Sequence, residues 1–308
     1  MNQHDIKPDL FIVGGPKCAT TALVKYLEEH PDVCMAFPKE PHYFLSDYPE
    51  YRQARTIEQY LDMFKFDPEK PPKVIGEGST WYLFSETAIK NILQYNPAAK
   101  IIIMLRNPLQ VVPSLYWQFL YGHEEDAKTF EEAWKLQGLR HEGQKVPKHI
   151  LEPQRLQYAK VGAFGTQLAR ARDIVPKDQL KVIIFDDFIA DTKSIFDDVL
   201  TFLDLENINK TNFQRTNARK THRSKLLSKL IRPSKPINFI VRTIKKMLGI
   251  KSIGLSKKIK EINLKRVKGG DDLSKELIQD MHKAFDPEIE KLEQLLERDL
   301  SHWKQYKL

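Results

Sequence analysis

Short runs of consecutive apolar residues alternate along this chain with longer stretches whose apolar positions recur every three to four residues. Asp9–Val13 (DLFIV), closed by Gly14-Gly15, reads as a buried strand, because a strand covered on both faces shows no polar alternation. Thr20–His30 follows with Ala22, Leu23, Tyr26 and Leu27 on one helical face, and Pro31 ends it. Val33–Ala36 predicts a second strand and Val74–Ile75 a third, with a helix over Glu86–Tyr95. Lys100–Leu105 (KIIIML) is the most strand-like run and leads into a helix over Leu109–Tyr121. Leu180–Phe185 (LKVIIF) is a further core strand, followed by a helix over Thr192–Leu203. In Ser274–Trp303 the spacing of Leu277, Met281, Phe285, Ile289, Leu292, Leu296 and Leu300 predicts two packed helices broken near Pro287. Strands alternating with helices make βαβ units, so the expected class is α/β, a P-loop-like central parallel sheet flanked by helices. No internal repeat interrupts it, and residues 1–308 read as one domain.

Charge changes this picture in one place. Between Arg215 and Gly270 the chain carries eighteen Lys and Arg against the single acid Glu261, although the whole chain is only +8. The remainder is therefore mildly acidic. This segment, which also holds Pro233 and Pro236, reads as an excursion from the central fold toward an anionic partner. Within it, Ile237–Ile250 is apolar on one helical face and basic on the other. That pattern fits a helix packed on the core, and also a peripheral contact with an anionic membrane. Two cysteines, Cys18 and Cys34, do not make a disulfide framework and point to a reducing compartment. The start has no signal-peptide pattern and no run approaches a bilayer span, so a cytoplasmic location is expected, peripheral at the inner membrane face if that helix binds lipid.

Candidate chemistry begins between the first strand and the first helix, at Gly14-Gly15-Pro16-Lys17-Cys18-Ala19-Thr20-Thr21. Backbone N–H groups at such a turn face the positive end of the helix dipole and form an anion site. Lys17 adds a full charge, and Thr20 and Thr21 add hydroxyl donors. The loop lacks the Gly-Lys-Ser/Thr ending that places a hydroxyl on Mg²⁺, which argues against a P-loop kinase. A second signal follows the KIIIML strand: Arg106-Asn107-Pro108, then Ser114 eight residues after the arginine. An arginine at the carboxyl end of a parallel strand sits where ligands bind in open α/β sheets. Arg with a nearby hydroxyl suits a phosphate.

Together these segments carry a resemblance. FIVGGPKCATTALVKYLEEHPDVCMAFPKEPHYF resembles the 5′-phosphosulfate loop and following elements of the sulfotransferase family, in its bacterial and heparan-sulfate-type carbohydrate branches. The resemblance implies that Pro16, Lys17, Cys18, Ala19, Thr20 and Thr21 cradle 3′-phosphoadenosine 5′-phosphosulfate (PAPS), and that Arg106 and Ser114 hold its 3′-phosphate. Lys17 would stabilise charge on the departing phosphate. In Lys39-Glu40-Pro41-His42-Tyr43-Phe44 it implies Glu40 as general base, with His42 orienting it or serving as base itself. Lys268-Gly269 resembles a lid loop over the cofactor, and Asn217–Ser224 (NARKTHRS) a segment of bacterial members.

Three departures stand out. Ala19 replaces the family's usual glycine, which is compatible with a negative φ; a glycine-only angle would cost roughly 1 kcal/mol. Val74–Leu83 (VIGEGSTWYL) lacks the Lys-Thr-His of phenol-type members, and Gly78 stands where heparan-sulfate-type members commonly carry Lys. Glu77, Ser79 and Tyr82 are expected to line the acceptor site. Residues 122–157 and most of 215–265 have no assignment in the resemblance and are expected to choose the acceptor.

The implied reaction is sulfuryl transfer to a hydroxyl or amine, of a carbohydrate or glycolipid, or else of a small-molecule or lipid alcohol. No metal is expected to be required. The non-enzyme alternative is an anion- or nucleic-acid-binding protein on a nucleotide fold. Nucleic acid is not the expected partner, because the basic segment lacks the aromatic interleaving of single-strand binders.

Overall fold

The computed structural model describes residues 7–214, 220–222, 264–266 and 273–305. Its centre is a sheet of five parallel strands in the order β2-β3-β1-β4-β5: β1 Leu10–Gly14, β2 Val33–Met35, β3 Val74–Gly78, β4 Lys100–Leu105 and β5 Leu180–Ile184. Every residue of β1 is buried, as is all of β4 after Lys100, which is why neither shows polar alternation. The α/β class is as expected.

Helices cover both faces. They are α1 Thr20–Leu27, α2 Ile57–Leu61, α3 Ala88–Tyr95, α4 Pro108–Gly122, α5 Phe130–Lys135, α6 Gln137–His141, α7 Tyr158–Val161, α8 Phe164–Ile174, α9 Phe185–Ala190, α10 Thr192–Phe202 and α11 Lys275–Leu296. A two-stranded antiparallel ribbon, β6 Lys220–His222 with β7 Leu264–Arg266, lies beside α4.

The strand order positions the site. From β1 the chain crosses to the β2 side, and from β4 it turns to the β5 side. The crevice between the carboxyl ends of β1 and β4 is therefore the topological switch point, where open α/β sheets bind ligands. The loops after β2 and β3 open at the same edge.

The C-terminal stretch corrects the expectation of two helices. α11 is a single helix of 22 residues running through Pro287, followed by a 3₁₀ turn at Ser301–Lys304. A mid-helix proline forfeits a backbone bond and costs about 3 kcal/mol. Packing on both sides of it offsets that cost. Phe285 seats against Gly162, and Glu288 accepts hydrogen bonds from Thr166 N–H (2.6 Å) and Oγ1 (2.8 Å) on α8. At Gly165 a Cβ would come within 2.4 Å of the Glu288 carbonyl, so only glycine lets the two helices approach this closely. The apolar face of α11, from Leu277 to Leu292, is buried throughout.

Residues 122–157, silent in sequence, form α5, α6 and a 3₁₀ turn at Pro153–Leu156. Their anchor is a fully buried ion pair in which the Arg140 fork donates to both Glu125 oxygens (2.7 and 2.5 Å). Glu125 also accepts from Tyr158 OH (2.8 Å) and from the N–H groups of Asp126 (2.8 Å) and Ala127 (2.9 Å). Burial alone would raise the Glu125 carboxyl, but Arg140 holds it below its ordinary range.

Candidate active site

The phosphate loop leaves β1 at Gly14 (φ +145°), where a Cβ would come within 2.7 Å of the Thr80 carbonyl. Gly15 N–H donates to the Met104 carbonyl (2.6 Å), tying the loop to the end of β4. Among the described residues, no backbone carbonyl accepts from the N–H groups of residues 18 to 21. They stand at the open end of α1, as an anion cradle requires. Cys18 is buried beneath the loop and burial pushes its thiol up to about 12, so it offers the site its backbone and not a thiolate.

Ala19 is a correction. Its φ is +67°, in the left-handed region that favours glycine, so this alanine carries strain where a negative φ was allowed for. Ala19→Gly is expected to raise stability to urea by roughly 1 kcal/mol. An unchanged or lower urea midpoint would contradict the strain.

Lys17 and Arg106 are held along one face of α4. Lys17 Nζ donates to Gln118 Oε1 at 3.2 Å. Arg106 donates to Gln110 Oε1 from Nε (3.2 Å) and Nη2 (3.0 Å), reaches the Lys17 carbonyl from Nη1 (3.4 Å), and stacks on Phe185 at 4.3 Å. Gln110, Ser114 and Gln118 are spaced by four, so Ser114 lies one turn from each, between the two cations. The structure thus brings Lys17, Arg106 and Ser114 to one crevice. Gln110 and Gln118 escaped notice in the sequence, although the same spacing from Ser114 marks them.

Behind the arginine, Asn107 caps α4 by accepting from Leu109 N–H (2.9 Å) and donates to the Trp303 carbonyl (2.9 Å). The Trp303 indole in turn donates to Asp186 (2.5 Å). The C-terminal turn thereby braces the Arg106 loop.

The loop after β2 carries Glu40 and His42, both at positive φ (+71° and +53°). Glu40 Oε1 accepts from Lys39 Nζ at 2.9 Å, and Oε2 accepts from Thr80 Oγ1 at 3.1 Å and lies 3.2 Å from His42 Nε2. Burial alone would raise this carboxyl; His42 and the Lys39 charge outweigh it and hold Glu40 well below the usual carboxylate range. His42 is pushed below its ordinary value by burial, so it is neutral at pH 7. The Glu40 side chain is 26% exposed and that of His42 2%, so of the two the glutamate is open to a substrate. The His42 ring packs on Tyr51 (4.8 Å), and the Arg155 guanidinium covers Tyr51 from 3.7 Å. Residues from the unassigned 122–157 stretch therefore wall the base loop, and Glu152 accepts from Glu50 N–H at 2.9 Å beside it.

Glu77, Ser79 and Tyr82 do not line an acceptor site. All three are completely buried. They end β3 beneath the base loop because their polar groups satisfy one another, with Glu77 accepting from Ser79, Tyr82 and Tyr60. Gly78 leaves no room for a longer side chain: a Cβ there would come within 2.7 Å of Val24 and 3.3 Å of Lys39 Cε. Lys268, Gly269, the Ile237–Ile250 helix and most of Asn217–Ser224 lie outside the described residues.

Residues 7–304 match the model of the sulfotransferase domain family. The chain belongs to the sulfotransferase domain family. It is 27% identical over 250 residues to mouse carbohydrate sulfotransferase 15, covering 64% of this chain and 44% of that one. It is 33% identical over 136 residues to mouse heparan sulfate glucosamine 3-O-sulfotransferase 5, covering 43% of this chain and 38% of that one. The chain thus matches less than half the length of these relatives. A sulfotransferase structure from Alicyclobacillus acidocaldarius shares the fold, with a TM-score of 0.69 at 23% identity, over 97% of this chain and 100% of that one. The family implies PAPS as co-substrate, and the crevice has the groups for it: an N–H cradle, Lys17, Arg106 and Ser114. Among the described residues no helix is long and apolar enough to cross a membrane.

Proposed function

We propose that this sulfotransferase domain moves the sulfuryl group of PAPS to a hydroxyl of a carbohydrate acceptor, leaving 3′,5′-adenosine bisphosphate. The observation that carries the reading is convergence: the phosphate loop after β1, Arg106 after β4 and Glu40 after β2 all open at one sheet edge.

Each group has a role that its surroundings suit. The N–H groups of residues 18 to 21 and Lys17 bind the 5′-phosphosulfate, and Lys17 offsets charge on the bridging oxygen as its bond to sulfur breaks. Arg106 and Ser114 hold the 3′-phosphate. The acceptor oxygen bonds to sulfur and its proton passes to Glu40. A carboxylate of low basicity suits a proton that becomes acidic only as the O–S bond forms. His42 and Thr80 orient the carboxylate. Lys268 and Gly269 are assigned to a lid over the nucleotide on resemblance alone.

A carbohydrate acceptor is supported by the relatives named above. Labelled PAPS offered with a panel of glycan oligosaccharides, simple phenols and lipid alcohols tests it. Label transferred to an oligosaccharide supports the reading, and label found only on a phenol or lipid alcohol replaces it with that acceptor class.

A further inference from the structure

Glu77 is the one acid among the described residues that is completely buried yet takes no part in the chemistry just described or in an ion pair. Its Oε2 accepts from Ser79 Oγ at 2.5 Å, and its Oε1 accepts from Tyr82 OH (2.9 Å) and Tyr60 OH (3.1 Å). The first two hydroxyls continue outward: Ser79 Oγ accepts the backbone N–H of His42 (3.1 Å), and Tyr82 OH accepts that of Phe44 (3.2 Å). The adjacent Thr80 holds the Glu40 carboxylate itself. The loop so gripped has two residues in the left-handed region, Glu40 and His42, and such a backbone persists only where its surroundings over-determine it.

We propose that Glu77 is a positioning residue for the base, clamping the Glu40–Phe44 loop through the Ser79 and Tyr82 hydroxyls, and that only its ionised form clamps fully. This rests on Glu40 being the base. The count of hydrogen-bond donors favours the ionised form. A carboxylate accepts all three hydroxyl hydrogens, leaving lone pairs on Ser79 and Tyr82 for the two loop N–H groups. A protonated Glu77 must donate to one of these hydroxyls, whose own hydrogen must then turn from the carboxyl to a neighbour, as that of Ser79 does toward Tyr82, and the grip on the loop is weakened.

The groups facing Glu77 are Ser79 and Tyr82 from its own segment, Tyr60 from α2, and the Lys39 charge from the base loop. Burial dominates and pushes the carboxyl up to about 7. Protonation there falls within a working pH range, whereas Glu40 and His42 both lie lower. Because the folded-state value lies above the ordinary 4.5, stability falls as pH rises from 4.5 toward 7. The ionised form that serves the loop is therefore the one that folding disfavours.

The test compares wild type with Glu77→Gln, and with Ser79→Ala should the first fail to fold. Amide hydrogen exchange over residues 40–46 is read against β1 and β4 as internal reference. Loss of the clamp is expected to lower protection of His42 and Phe44 roughly tenfold at pH 8, with the reference strands unchanged. Wild type is expected to show the same loosening as pH falls below about 7. In turnover, wild-type kcat is expected to drop on the acid side with an apparent pKa near 7, and Glu77→Gln to be slower than wild type above that pH, to approach it below, and to lack that limb. Unchanged loop protection in the folded variant overturns the proposal whether or not an acceptor is known. A limb near 7 retained in Glu77→Gln overturns the ionisation part. Altered protection in a wild type that transfers no sulfuryl group keeps the clamp and sinks the reaction assigned above.

Discussion

Lys17→Ala lowers kcat/KM for sulfuryl transfer by about 10²–10³-fold, the usual loss when one donor to a developing oxyanion is removed. The reason lies in where this ammonium is held. Lys17 stands at φ +63° on the loop between β1 and α1, its backbone carbonyl within 3.4 Å of the Arg106 guanidinium and its Nζ on Gln118. Loop and helix α4 thus fix both ends of the side chain, so little reorganisation accompanies the charge that builds as the S–O bond breaks. The substitution removes no core contact, since Lys17 is only half-buried, and the thermal midpoint is expected to stay within a few degrees of wild type. Transfer assays with thermal melts of the same preparation check both halves. Activity within threefold of wild type would place the leaving-group charge elsewhere.

Glu40→Gln lowers kcat by about 10²–10⁴-fold, the range for loss of a positioned base. Affinity for 3′,5′-adenosine bisphosphate is expected to be unchanged, because the nucleotide is assigned to the crevice between β1 and β4 and Glu40 to the loop after β2. The glutamine keeps an oxygen for Thr80 and removes the proton acceptor together with the partly exposed ion pair to Lys39. His42→Ala separates the two candidates for the base. A buried, neutral histidine that orients the carboxylate should cost less than Glu40→Gln, whereas an equal or larger loss would make His42 the base.

The fold was readable from the sequence where burial is total. KIIIML delimits β4 residue for residue and β1 is shifted by one residue, because strands covered on both faces are uninterrupted apolar runs; the edge strand β5, half-buried over its first three residues, was still read to within a residue from its apolar run. β3 was read as only Val74–Ile75, because Gly76-Glu77-Gly78 has none of that signal: its glycines make room for Leu10 and Val24, and its acid is paid for by three hydroxyls. Pro287 misled for a related reason. A local rule says break, and the contacts of Phe285 and Glu288 with α8, distant in sequence, say continue.

The site divides along the same line. Lys17, Arg106, Ser114, Glu40 and His42 stand out in the sequence because they fall in short contiguous motifs. The groups that hold them are spread over α4, the end of β3 and the C-terminal turn. Gln118, Thr80 and Trp303 acquire meaning only when tertiary structure sets each beside its partner. The buried Glu77 cluster was taken for substrate-facing because residue types alone do not report depth.

The central claim is that the β1–β4 crevice is a nucleotide site of the PAPS type. Its most direct test is calorimetric titration with 3′,5′-adenosine bisphosphate, with and without Mg²⁺, on wild type, Lys17→Ala and Arg106→Ala. The account predicts binding on the order of micromolar Kd without metal, weakened at least about tenfold by either substitution, as loss of a charge-assisted contact implies. No binding by folded wild type, or binding of ATP alone and only with Mg²⁺, would contradict it.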